Sequence, residues 1–188
     1  IYQGYRTSYE YEGAPRAASR LNQHIQKSGW QPEGFWWNAL AKGYRLGVQS
    51  SSDHWSTHIS YACLLAENFT REGLLDAIRR RHAYAATDNI IVDFRARSGS
   101  TTYIMGDAFS SATAPQLSVR VTGTGPIHQI DLIKNQKFVY TARPGAKQAG
   151  FEFTDKEFGP GESWYYVRVL QSDGQLAWSS PIWYTPAR

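Results

Sequence analysis

The sequence predicts an α+β fold, and two observations carry that prediction. The chain up to about residue 86 reads as short strands alternating with helices, and from Ile90 onward it becomes a succession of strands with alternating polarity and turn breaks. The change falls between residues 86 and 110, and hydrophobic residues at 41% against charged residues at 19% describe a chain able to bury a core.

In the first half, Pro15 can open a helix carrying Ala17, Ala18, Leu21 and Ile25, with Gly29 as its left-handed stop. A second helix is expected over Phe35 to Lys42, stopped by Gly43, and Tyr44 to Gln49 reads as a buried strand. Thr70 can cap a third helix in which Leu74, Ala77 and Ile78 share a face, while Arg79, Arg80, Arg81 and His82 suit the negative end of its dipole. Asn68-Phe69-Thr70 also fits a glycosylation acceptor, but the cap is the preferred reading.

The strands expected after that are Ile90–Phe94, Thr102–Met105, Leu117–Val121, Gln129–Ile133, Phe138–Tyr140, Phe151–Phe153, Trp164–Val169 and Leu176–Trp178. Turn signals at Gly123-Thr124-Gly125-Pro126 and Ser172-Asp173-Gly174 imply antiparallel hairpins, and a small β-sandwich is their natural product.

Composition limits the partners. No apolar run approaches the roughly 20 residues of a membrane-spanning helix, so no membrane span is expected. The net charge of +4 is spread over Arg16, Arg20, Arg79, Arg80, Arg81, Arg143 and Lys147 rather than gathered in a stripe. That pattern favours a small anionic substrate over nucleic acid. Cys63 is the only cysteine, sits in the apolar stretch Tyr61–Leu65, and reads as a small buried hydrophobe. A lone cysteine leaves the compartment open, with a periplasmic or extracellular setting ranked ahead of the cytoplasm.

One stretch concentrates chemistry: Ser50-Ser51-Ser52-Asp53-His54-Trp55-Ser56-Thr57-His58, immediately after the apolar run Tyr44–Val48. An Asp with two imidazoles supplies oxygen and nitrogen donors that suit Zn, Mn or Fe better than Ca. Asp53 and His54 are the candidate catalytic pair and, with His58, the candidate metal ligands; Ser52 and Thr57 could orient them. Adjacent strand residues face opposite ways, so Asp53 and His54 can share an ion only if the strand has ended before them. The competing reading makes Asp53 a local cap and His54 a hydrogen-bonded core residue. His24, His82 and His128 have no acidic or His neighbour at ligand spacing and read as surface or packing residues. There is no Gly-rich phosphate loop, Gly-x-Ser-x-Gly elbow, HExxH or paired-cysteine motif.

Leu46 to His58, together with Arg71 to Thr87, resembles the C-terminal part of PHP-superfamily metal-dependent hydrolases (polymerase and histidinol phosphatase), within a large branch labelled as a domain of unknown function. Tyr2–Glu10 and Gly174–Trp183 are similar to the same branch. The resemblance implies that residues 1–95 are the C-terminal part of a distorted β/α barrel and residues 96–188 a β-rich region. It also implies a divalent metal held at the carboxyl ends of strands. The superfamily's early His-x-His pair has no counterpart here, and its usual Glu would fall just before Ile1, so the missing N-terminal half of the same protein is an expected partner. The superfamily's last motif commonly reads Asp-x-His. Here Trp55 stands two after Asp53, and His54 is the substitute imidazole. Arg6 and Glu10 are candidate substrate-binding residues, Arg6 by its fork of donors to an anion, unless Arg6 simply pairs with Glu10 or Glu12.

The leading function is thus the C-terminal portion of a phosphoesterase-like hydrolase, inactive by itself. Two others stand beside it: a binding module using the aromatic β region with Trp164, Trp178 and Trp183, and a degenerate relative without metal. Oligomeric state is left open.

Overall fold

The computed structural model describes residues 1–4, 7–22, 30–54 and 58–187. In chain order the elements are β1 (Tyr2–Gln3), a 3-10 turn (Pro32–Gly34), α1 (Trp36–Ala41), β2 (Ser50–Ser51), β3 (Tyr61–Leu64), α2 (Arg71–Arg79), β4 (Ala83–Ala86), β5 (Ile91–Ser98), β6 (Thr101–Ile104), β7 (Ala108–Ser111) and β8 (Gln116–Thr122). β9 (Ile127–Lys134), β10 (Lys137–Ala142), β11 (Gln148–Thr154), β12 (Ser163–Gln171), β13 (Leu176–Ser179) and β14 (Ile182–Pro186) complete them.

These elements correct the expected α+β fold with a PHP-type β/α barrel. Strands hold 43% of the described residues and helices 10%. A barrel needs parallel strands linked by helices, whereas the ladders here are antiparallel except β1 with β2 and β7 with β14. The helix expected from Pro15 does not form over its described part. Arg16 is left-handed at φ 56°, and Ala17 bridges Ser8 instead. The turn at 123–126 joins no hairpin, because β8 pairs with β5 and β11 while β9 belongs to another sheet.

A large sheet runs β10-β9-β12-β13-β4-β3, with β14 against β12 and β7, and a smaller one runs β11-β8-β5-β6. The strand β5 spans residue 95, and strands from either side of it, β4 and β13, are neighbours in the large sheet. Between the sheets, alternate residues of β5 (Val92, Phe94, Ala96) and β8 (Leu117, Val119, Val121) meet Ile130, Leu132, Val167 and Tyr184 in one core. On the large sheet's other face a second core joins Trp164, Tyr166, Trp178 and Trp183 to Tyr2, Trp36, Leu40 and Val48. The fold is therefore three layers deep at β12, whose residues from Ser163 to Val169 are all buried.

α1 and α2 form as expected. Gly43 takes φ 85° at the end of the first, and the Thr70 hydroxyl accepts from the Gly73 amide at the start of the second. The β9–β10 hairpin turns through Asn135 and Gln136, both left-handed, as a two-residue loop on twisted strands requires.

The core includes polar anchors. Burial pushes the Asp155 carboxyl up, but the Lys134 ammonium, the Tyr165 hydroxyl and the Glu157 amide more than offset it and hold it below the ordinary aspartate range. A lowered folded pKa adds stability above the unfolded value, lost as pH falls through the folded one. Asp155→Asn should therefore lose stability at neutral pH and flatten the acid limb below about pH 4. Urea midpoints measured from pH 2 to 7 check this, and an unchanged acid slope in the variant would contradict it.

Candidate metal and acid–base site

β2 is only two residues long, and its register with β1 (Tyr2 beside Ser50, Gln3 beside Ser51) places Ser52 at the carboxyl end of a parallel pair. Ser52 then closes the following loop: its hydroxyl donates to the Ser60 carbonyl at 2.8 Å and accepts from the Ile59 and Ser60 amides at 3.1 and 3.0 Å. Asp53 begins that loop in the left-handed region at φ 61°, a conformation Asp tolerates better than most residues because its short side chain bonds locally. The requirement of the sequence argument is thus met, since the strand has ended before Asp53.

The turn brings Asp53 and His54 together. Asp53 Oδ1 accepts from the His54 amide and from His54 Nδ1, each at 2.7 Å. A carboxylate can only accept in such a pair, so Nδ1 carries a proton, and the tautomer with that proton alone has its lone pair at Nε2. The Asp53 side chain is largely sheltered, while the imidazole is 76% exposed, so His54 is not a core residue. His58 is exposed, and its carbonyl lies 3.5 Å from the Tyr61 hydroxyl. Among the described residues no three His, Cys, Asp or Glu side chains gather as a group able to hold an ion. Asp53 and His54 are adjacent; His58 joins them in no such group. Arg6, Trp55 and Thr57 lie outside the described residues.

Glu10 is where the structure departs most from expectation. It is fully buried, not open to a substrate. Its carboxylate accepts from the Tyr166 hydroxyl, from Arg168 at 3.2 Å and from the Trp178 indole at 2.9 Å, and Arg168 bridges on to Asp131 at 2.8 Å. Burial is the largest influence on Glu10 and raises its pKa, although Arg168, Tyr166 and Trp178 all pull it down. A carboxylate so enclosed ties the segment around Glu10 to β12 and β13; it has no access to a ligand. The three tryptophans considered for a binding surface are equally enclosed, with Trp164, Trp178 and Trp183 at 7%, 0% and 1% exposure.

Sequence reasoning missed one histidine–carboxylate pair. His82 is buried with Nε2 donating to Asp107 at 2.8 Å, and Asp107 also accepts from the Ile104 amide. The 25-residue separation gives no local signal. Cys63 is half-buried, and burial raises its thiol pKa, which suits a packing residue more than a nucleophile.

No family model matches this chain. It is 29% identical over 183 residues to an uncharacterised protein of Chlamydia trachomatis serovar D, covering 81% of this chain and 29% of that protein. An uncharacterised protein of Chlamydia muridarum gives the same figures. One from Chlamydia pneumoniae is 27% identical over 209 aligned positions, covering 93% of this chain and 33% of its own length. The chain thus spans about a third of the length of the curated relatives it matches.

Proposed function

We propose that this chain is the C-terminal portion of a divalent-metal-dependent hydrolase acting on a small anionic ester, a phosphoester first, to which it contributes Asp53 and His54. The observation that carries this reading is the 2.7 Å contact from Asp53 Oδ1 to His54 Nδ1 in a loop just past a strand end. A carboxylate that grips one imidazole nitrogen fixes the ring and directs the other nitrogen outward, the arrangement used where histidine ligates a metal. His54 would offer Nε2 and His58 a further donor, with Asp53 holding the His54 ring from its far side, and Zn, Mn or Fe would suit such imidazole donors. When bound, such an ion acidifies its water and stabilises charge on a phosphoryl oxygen. The remaining ligands would come from the part of the longer protein that this chain does not span. The sequence resemblance to PHP-superfamily hydrolases supports the same reading, and the span of about a third of each relative is compatible with a divided site.

Calorimetry with Zn2+ and Mn2+ tests it. This chain should bind weakly, and the protein extended to the length of its relatives tightly. Asp53→Gly is the informative variant, because it relieves a left-handed cost of about 1 kcal/mol while removing hydrogen bonds of similar worth. The fold should therefore hold its stability while metal affinity in the extended protein drops by about 10- to 100-fold. Equal, negligible binding in both proteins would sink the reading.

A further inference from the structure

We infer that the apolar groove between residues 47–49, β3 and α2 is the seat for the remainder of a longer protein, covered by apolar side chains from the two-thirds of the relatives' length that this chain does not span. This rests on reading the chain as part of a longer protein, as above.

The groove has a volume of about 390 Å3 and is lined by Gly47, Val48, Ala62, Leu64, Ile78 and Ala83. Its one charged neighbour, Arg81, is turned to other work. The guanidinium donates to the Gly106 and Arg79 carbonyls and lies 5.4 Å over the Trp183 ring. The groove therefore offers an anion little and an apolar chain much. A small-molecule pocket of this size would carry a few convergent polar groups, and this one is lined mostly by carbon, with Gln49 and Arg81 as its polar members.

Its rim is apolar too. Of the nine residues of α2 only Ala77 is buried; Leu75 and Ile78 are 40% and 55% exposed on the helix. Tyr44 and Leu46, on the extended segment leading to the groove, are 61% and 44% exposed. An amphipathic helix normally spends its apolar face on a core, and α2 has spent only a fraction of its own. Exposed apolar side chains near an apolar groove suit an interaction face.

Two neighbouring features point to more protein rather than to a second copy. β3 is the last strand of the large sheet, so its outer edge carries no ladder among the described strands. Beside it, β1 and β2 form a parallel ribbon of two residues each. Parallel pairs occur inside larger, covered sheets, and a ribbon this short has little stability of its own. A tethered neighbour is also present at far higher effective concentration than any free chain. The relatives supply that neighbour, since about two-thirds of each lies outside the matched span.

The test is thiol labelling. Ala62→Cys and Ile78→Cys, each in a Cys63→Ala background, would be reacted with a maleimide in this chain and in the protein extended to the length of its relatives. Ser100→Cys in the β5–β6 turn serves as the reference. All three should label quickly in this chain, while the two groove positions should slow by about tenfold or more in the extended protein and the reference should not. Equal rates in both proteins would overturn the inference. So would slow labelling of this chain that steepens with its concentration, the mark of a second copy, or a coding sequence that contains nothing beyond this chain. The readout involves no metal, so protected thiols with failed calorimetry would discard the hydrolase and keep the docking surface.

Discussion

Arg168→Met is expected to destabilise the fold by about 3–5 kcal/mol at neutral pH, the cost of removing one partner from a buried ionic network. Arg168 is 4% exposed and is the cation between two buried carboxylates, Glu10 and Asp131. Methionine matches the length of the side chain but leaves both acids without a counter-charge. The Gln129 amide and Thr141 hydroxyl would still serve Asp131, and the Tyr166 hydroxyl and Trp178 indole would still serve Glu10, so what is lost is the counter-charge rather than every hydrogen bond. A pH signature identifies it. Burial already raises the Glu10 pKa in the intact protein. A raised folded pKa means that its contribution is greatest below the ordinary glutamate value and declines as pH rises through the folded one. Without Arg168 the ionised form is costlier still, so the deficit of the variant should widen from pH 5 to pH 8. Urea unfolding across that range measures it. A loss under about 1 kcal/mol, or one that narrows with rising pH, would show that the network does not hold the segment around Glu10 in place.

Trp178→Ala is expected to cost about 3–5 kcal/mol, since it opens a large cavity at a fully buried site. Trp178 sits in β13, stacks on Tyr2 with ring centroids 6.1 Å apart, and donates its indole N–H to Glu10. Packing and hydrogen bonding can be separated. Trp178→Phe keeps much of the volume but removes the donor, and should cost about 1–3 kcal/mol. Because Trp178 and Arg168 share Glu10, the two losses should not add, and the double variant should fall short of their sum. Thermal and urea denaturation of the unmodified protein, Arg168→Met, Trp178→Phe and the variant with both changes provide the comparison, and strict additivity would argue that the two side chains act independently.

Strands such as β5 and β8 were legible because they are wet on one face, whereas β12 and β13, buried on both, showed only as short apolar and aromatic runs. In β5 and β8, buried and exposed residues alternate along the strand, and that period is what a sequence displays. β4 was not legible. Ala83-Tyr84-Ala85-Ala86 is buried on both faces, lies beside the charged end of α2, and has no alternation to show. β14 was missed for a similar reason, as Ile182, Trp183 and Tyr184 are all buried in succession. The barrel expectation arose because short elements with helices between them look alike whether the strands later pair in parallel or not; pairing is decided by partners distant in the chain.

The candidate site divides the same way. Asp53 and His54 could be found because they are neighbours in sequence, although the left-handed turn that lets them meet has no marker beyond the tolerance of Asp for it. Glu10 was misassigned because its partners stand 156 to 168 residues away, and nothing local to Glu10 distinguishes a carboxylate that meets solvent from one that meets Arg168.

The three-layer arrangement around β12 has a consequence for biosynthesis. The segment around Glu10 cannot take its seat until Arg168 and Trp178 have left the ribosome, so it must wait through the synthesis of nearly the whole chain. During that interval Tyr2, Trp36 and Leu40 have no core to join, and the nascent protein carries them as sticky surface. Chaperone dependence during translation, rather than weakness of the finished fold, is where this topology should be most vulnerable.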